Sequence, residues 1–197
     1  GHPTIAVTNV HGSTMAREAT VDLATLAGKE LAIPATKSFT AQLALIEILA
    51  LLAARERGAL PPEEMAARLT ALAQIPQAIA AQLPAWERQI EALAPKYADA
   101  RTFLYLGRGV HYAIAREGAL KLKESSYLHA EGYPTGELKH GPNALVSREV
   151  PLVVLATVDR DDPESLLRYE KTVSLLYDLR EQGARVLAVA NAKDNAI

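Results

Sequence analysis

The sequence contains no cysteine, which excludes a disulfide framework, a thiolate metal site and a cysteine nucleophile within these residues. Aromatic side chains are scarce, with two Phe, one Trp and seven Tyr among 197 residues, so the core has to be built from Ala, Leu, Val and Ile. Neither sign of charge dominates: 21 basic residues face 23 acidic ones, for a net charge of -2 and a pI near 6.2. No general field therefore draws the chain onto nucleic acid or an anionic membrane, and phosphate can bind only at a local site. The longest apolar stretch, residues 41–54, carries Gln42 and Glu47 and falls short of the roughly 20 residues a membrane span needs. It reads as a buried helix. Residues 1–10 show neither a basic leader segment nor an initiator Met, so no secretory signal is read and a cytoplasmic protein, cut from something longer, is expected. No Walker sequence, Ser/His/Asp order or recognised metal-ligand spacing is present, and His129 and His140 with scattered carboxylates do not supply one.

What is present is a folded, aliphatic chain, 49% hydrophobic and 22% charged. Residues 4–10, rich in β-branched side chains, read as a short parallel strand that stops at Asn9, Val10, His11 and Gly12. Ser13 and Thr14 offer the cap of a short helix, and residues 21–26 a second strand. From 36 to 57, Phe39, Leu43, Ile46, Leu49 and Leu52 recur near a period of 3.6, so a long helix is expected, stopped by Gly58. Pro76, Pro84 and Pro95 should divide the stretch that follows into short helices. Strands are then expected at 101–107, 150–156 and 185–191, with helices at 111–128 and 163–183. This alternation predicts an α/β fold with parallel sheets and right-handed crossovers. The expected divisions are 1–58 as the later part of one α/β domain, 59–99 as a helical linker and 100–197 as the earlier part of a second.

Three places carry candidate chemistry. Glu117, Lys121 and Glu124 stand at i, i+4 and i+7 and share one helix face. Such a row is either a general base with an ammonium that polarises a substrate oxygen, or an ordinary solvated ion pair; spacing does not decide. Residues 125–142 read as a loop dense in titratable groups, with His140 as the natural proton shuttle. In residues 30–37, ELAIPATK, Thr36 can cap the long helix, and nearby backbone N–H groups can meet a hydroxyl or an oxyanion. The Gly107-Arg108-Gly109 turn between a strand and a helix can meet an anion or can simply be a tight turn.

Residues 117–142, EGALKLKESSYLHAEGYPTGELKHGP, closely resemble the signature of the isomerase region of the glucosamine-6-phosphate synthase family. TNVHGSTMARE at 8–18, ATKSFTAQ at 35–42 and FLYLGRG at 103–109 resemble further parts of the same double sugar-isomerase (SIS) region. The resemblance implies two SIS domains, each a five-stranded parallel sheet flanked by helices, of which this chain holds parts. It implies fructose 6-phosphate and ammonia as substrates and glucosamine 6-phosphate as product, with no cofactor. By resemblance Glu124 moves the proton between C1 and C2, Lys121 assists it, and His140 opens the sugar ring from the neighbouring subunit of a homodimer. Ile33 and Ala35 match the backbone strip lining the sugar pocket, with Thr36 and Glu117 as further substrate-binding candidates.

Three departures qualify the match. Ala35 stands where the synthases usually carry Ser, and resembles the related glucosamine-6-phosphate deaminases, so a deaminase or deglycase of the same double-SIS fold is the alternative. A sugar-phosphate-sensing SIS module that binds without catalysis is the third reading. The phosphate-gripping loop of the first domain and the C-terminal Schiff-base lysine are expected outside residues 1–197, as is a glutaminase domain upstream. Residues 157–165, TVDRDDPES, occupy the equivalent loop of the second domain, where four acidic residues are expected to repel phosphate.

Overall fold

In the first part of the chain, Ile5, Val7 and Thr8 favour extended backbone and form strand β1, Ile5–Thr8, which pairs in parallel with β2, Val21–Ala24. Between them runs α1, Thr14–Glu18, whose start is fixed by Ser13 Oγ accepting the Ala16 N–H at 3.2 Å. The computed structural model describes residues 1–194 and 196–197. The chain divides into two units, Gly1–Ala92 and Leu93–Ile197.

Helix α2, Lys37–Glu56, ends before Gly58, whose φ of +65° suits a residue without Cβ. The expectation of a buried helix is corrected. Only Leu51 is buried, while Leu43 is 44% and Ile46 53% exposed. A two-stranded sheet offers too little surface to cover a helix of 20 residues. At that length α2 is also long and apolar enough to cross a membrane by composition, so the run-length argument against a span does not hold.

The prolines do not divide the next stretch as expected. Helix α3, Pro62–Leu93, is continuous through Pro76 and Pro84. Each proline removes one backbone hydrogen bond and disfavours helical geometry before it, but the Ala, Leu and Gln residues around them are strong helix formers that carry the helix on. Pro95 follows the end of α3 and opens a 3-10 turn, Ala94–Tyr97.

The second unit contains β3 (Thr102–Gly107), α4 (Val110–Ser126), β4 (His129–Pro134), β5 (Leu152–Ala156), α5 (Pro163–Glu181) and β6 (Val186–Ala190). Its sheet is parallel in the order β4-β3-β5-β6. Residues 125–142 are therefore not one loop. They hold strand β4, with Thr102 opposite His129 and Gly107 opposite Pro134, then two 3-10 turns, Thr135–His140 and Pro142–Leu145. The motif HAEGYP has no β-branched residue and no apolar run, so its strand character comes from pairing with β3. Four strands form this sheet among the described residues, and two the first, where five were expected in each.

Alternation along β3 and β5 divides the two faces of the sheet. Leu104, Leu106, Leu152 and Val154 pack with Leu175 and Leu179 of α5 and with Leu138. On the other face, a Cβ at Gly118 of α4 would stand 2.8 Å from the Tyr105 ring, and one at Gly132 of β4 would stand 2.7 Å from the Arg116 Cα. Both positions need glycine because backbone or ring already fills the space. Replacing Gly132 by Ala should cost about 1–3 kcal/mol of stability through overpacking, read as a lower Tm in thermal unfolding; an unchanged Tm would contradict this packing.

Candidate active site

Helix α4 starts after Gly109 at φ +55° and ends where Tyr127, in left-handed geometry, donates its N–H to Lys123 O. Its small buried residues Ala115 and Ala119 let it lie close to β3 and β4. With that face against the sheet, Glu117, Lys121 and Glu124 form a row. Lys121 Nζ lies 2.5 Å from Glu124 Oε2 and 3.4 Å from Glu117 Oε1, and each of the three side chains is about one quarter exposed. The hydrogen bond to Glu124 first, and then that to Glu117, holds the Lys121 ammonium above the ordinary lysine value. Lys121 is thus a fixed cation between two carboxylates, suited to stabilising negative charge on an oxygen and unsuited to accepting a proton near neutral pH.

His140 is elsewhere. It ends the turn after β4, exposed to solvent and with no hydrogen bond or ion pair among the described residues. Because β3 and β4 are parallel, α4 runs back antiparallel to both, so its last turn lies near the start of β4. The six residues of β4 advance the chain by about 17 Å at the usual strand rise. Glu124 and His140 therefore stand at opposite ends of one sheet. One copy of the chain brings Glu117, Lys121 and Glu124 together, and leaves His140 apart from them. A cleft of about 540 Å³ runs along α4 and β4 beside Arg116, Glu117, Glu131 and Tyr133. It takes in Glu117 but is not lined by Lys121 or Glu124.

Ile33, Ala35 and Thr36 belong to the first unit, in the irregular segment before α2. Ile33 and Thr36 are exposed and Ala35 is half-buried. Thr36 occupies the N-cap position without a side-chain capping bond; Glu30 Oε1 instead accepts the Ser38 N–H at 3.0 Å. Asn9 ties down the same segment. Its Oδ1 accepts the Ala27 N–H and the Thr25 hydroxyl, and its Nδ2 donates to Gly28 O. Asn9 was read only as a turn residue and Glu30 only as the start of segment 30–37, because each bonds to backbone that spacing does not place.

The sequence reading also passed over a bond on β4, where the Tyr133 hydroxyl donates to Glu131 and its own proton is held more tightly for it. It marked the Gly107-Arg108-Gly109 turn but passed over Arg168 and Lys171, which two neighbouring hollows bring together with Arg108. The signal was available in part: Arg108 is the middle residue of the Gly-Arg-Gly turn, and Arg168 and Lys171 share a face of α5 at i, i+3.

The raised Lys121 value sets a pH dependence. A group whose folded value is raised contributes stability below its unfolded value and loses that contribution as pH rises through the folded one. The Tm gap between the parent and Lys121→Met should thus be present at neutral pH and narrow as pH rises beyond 10.5, the ordinary lysine value. A gap that is the same at both ends of this range would contradict the ion-pair assignment.

Comparison with known proteins places the chain. A family model described as SIS domain matches residues 1–52 and 96–197. A glutamine–fructose-6-phosphate aminotransferase (isomerizing) of Bradyrhizobium diazoefficiens is 47% identical over 193 residues, 98% of this chain and 30% of the relative. One from Bordetella parapertussis is 47% identical over 189 residues, 96% of this chain and 30% of the relative. The chain spans under a third of the length of these curated relatives. Among solved structures, the C-terminal domain of glucosamine-fructose-6-phosphate aminotransferase from Francisella tularensis superimposes with a TM-score of 0.87 at 34% identity, covering 95% of this chain and 50% of that one. Glucosamine-6-phosphate deaminase from Thermotoga maritima shares the fold, with a TM-score of 0.65 at 24% identity over 98% of this chain and 53% of that one. With the parallel sheet, the crossover helices and the family match over most of its length, this chain belongs to the SIS domain family.

Proposed function

We propose that the chain is the isomerase portion of a glutamine:fructose-6-phosphate aminotransferase, converting fructose 6-phosphate and ammonia to glucosamine 6-phosphate and water. The observation that carries the reading is the Glu117–Lys121–Glu124 row on α4, in a chain 47% identical to such enzymes. Once ammonia has replaced the C2 oxygen as an imine, Glu124 takes the C1 proton and returns it to C2. The C1 hydroxyl proton passes to the C2 imine nitrogen, so that the imine becomes the amine as the C1 aldehyde forms. Lys121, held protonated, stabilises negative charge on the reacting oxygen, and no metal or organic cofactor is needed for these proton transfers.

Residues 1–58 and 100–197 are then parts of two SIS domains, each completed to five strands in the whole protein, with 59–99 linking them. The SIS match through residue 52 supports α2 as a domain helix in a cytoplasmic enzyme. Ile33, Ala35 and Thr36 of the first unit and Glu117 of the second are the substrate-binding residues of this reading. His140 opens the sugar ring in the site of a second copy, a role supported by its exposure and its distance along the sheet from Glu124. A glutaminase domain upstream supplies ammonia.

Glu124→Gln should abolish solvent-proton exchange into fructose 6-phosphate, by about a hundredfold or more, while sugar-phosphate binding stays within a few-fold of the parent. Full exchange in this variant, followed by NMR in D2O, would remove Glu124 from the role. Ala35, followed by Thr-Lys-Ser, favours a second reading as a glucosamine-6-phosphate deaminase. Ammonia release from glucosamine 6-phosphate, with glutamine ignored, would select it.

A further inference from the structure

The turn that carries His140 is fastened to one helix. Residues Thr135–His140 form a 3-10 helix, in which positions three apart eclipse one another. Thr135 and Leu138 make its buried row, 7% and 0% exposed. Gly136 and Lys139 make a second row and Glu137 and His140 a third, both exposed. Leu138 sits in the core cluster with Leu175 and Leu179 of α5. From the second row, Lys139 Nζ reaches the same helix and lies 2.8 Å from Asp178 Oδ2, a contact across 39 residues of sequence. Asp178 directly precedes Leu179, so an apolar contact and an ion pair grip the turn at one place on α5.

After His140 the chain bends away. Gly141 has φ +153° and ψ -57°, a conformation that suits a residue without Cβ. Its carbonyl accepts the Ala144 N–H at 3.0 Å as the second turn, Pro142–Leu145, begins. The next residue packed against the core cluster is Val146. His140 thus ends the first turn, with no hydrogen bond or ion pair of its own among the described residues. The side chain that fixes this end is the one before it, Lys139. Its charge and that of Asp178 are 67% and 40% exposed, and ion pairs so exposed contribute little to stability. What the pair supplies is geometry.

We propose that Lys139 and Asp178 are positioning residues for His140: their ion pair holds the end of the turn against α5 so that the imidazole is presented to the substrate in the site of a second copy. The inference rests on His140 as the ring-opening group of the proposed reaction. Ring opening breaks the bond between C2 and the ring oxygen, with one proton leaving the C2 hydroxyl and one arriving at the ring oxygen. A shuttle for these protons has to stand within hydrogen-bond reach of them, and a misplacement of roughly 1 Å costs up to about a hundredfold in rate. His140 has no bond of its own to correct such an error, so the pair beside it sets its place. Lys139 and Asp178 touch no reacting atom in this account.

Steady-state kinetics of the full-length protein on two substrates test it. One is fructose 6-phosphate; the other is 5-deoxyfructose 6-phosphate, which lacks the hydroxyl that closes the ring and needs no opening. Lys139→Met and Asp178→Asn should each lower kcat with fructose 6-phosphate about tenfold with KM within about twofold of the parent. Both should turn over the open-chain analogue as the parent does, and unfold within about 3 °C of its Tm. The charge swap, Lys139→Glu with Asp178→Lys, should recover most of the lost rate. Equal loss on both substrates, or no recovery in the swap, would overturn the positioning role. His140→Ala tells the two levels apart. If it loses neither substrate, or both alike, the ring-opening reading fails and the positioning role with it. If it loses fructose 6-phosphate alone while Lys139→Met and Asp178→Asn keep parent rates, the positioning role alone fails.

Discussion

The approach of α4 to its sheet is set by side chains that are absent. Gly118 leaves room for the Tyr105 ring, Gly132 leaves room for the Arg116 backbone, and Ala115 and Ala119 fill the remainder of the contact. With that face of the helix committed, its rotation is fixed, and Glu117, Lys121 and Glu124 come to a single partly shielded row. A larger residue at either glycine would displace the helix and, with it, the carboxylate proposed to move the proton.

Charge then decides what the row can do. An exposed ion pair of this spacing is worth little and is screened by salt. Here the ammonium has a carboxylate on each side, and its proton is held more firmly than in a free lysine. In the proposed reaction Lys121 serves as the electrophile and Glu124 as the base, the division of labour that an aldose-ketose interconversion requires. His140, proposed to open the sugar ring, is at the opposite end of the same sheet, and the parallel pairing of β3 and β4 dictates that separation.

Much of the fold was legible in the sequence because it follows from local pattern. Ser13 caps α1, Gly58 follows the end of α2, and strands β1, β2, β3, β5 and β6 all fall within the apolar runs expected to form them. The misses arose where tertiary context outweighs local preference. HAEGYP has little strand propensity and becomes β4 only because β3 pairs along its whole length. Pro76 and Pro84 are carried inside α3, and α2 is exposed because burial depends on what surface is available to cover it. At the site, the helical period placed the three charged residues on one face correctly. The bonds of Asn9 to Thr25, Ala27 and Gly28 and the approach of Arg108 to Arg168 and Lys171 depend on contacts between segments distant in sequence, which no spacing rule reaches.

The separation of Glu124 from His140 has a direct test in subunit mixing. Full-length Glu124→Gln and His140→Ala proteins, distinguished by tags and dissociated and reassociated together, would be assayed for turnover of fructose 6-phosphate. Each variant alone should be inactive, and the mixture should recover about a quarter of parent activity, since half the dimers pair the two variants and each of those holds one intact site of two. Mixed dimers that form, as shown by the tags, yet regain no activity would contradict the assignment of Glu124 and His140 to one site built from two chains.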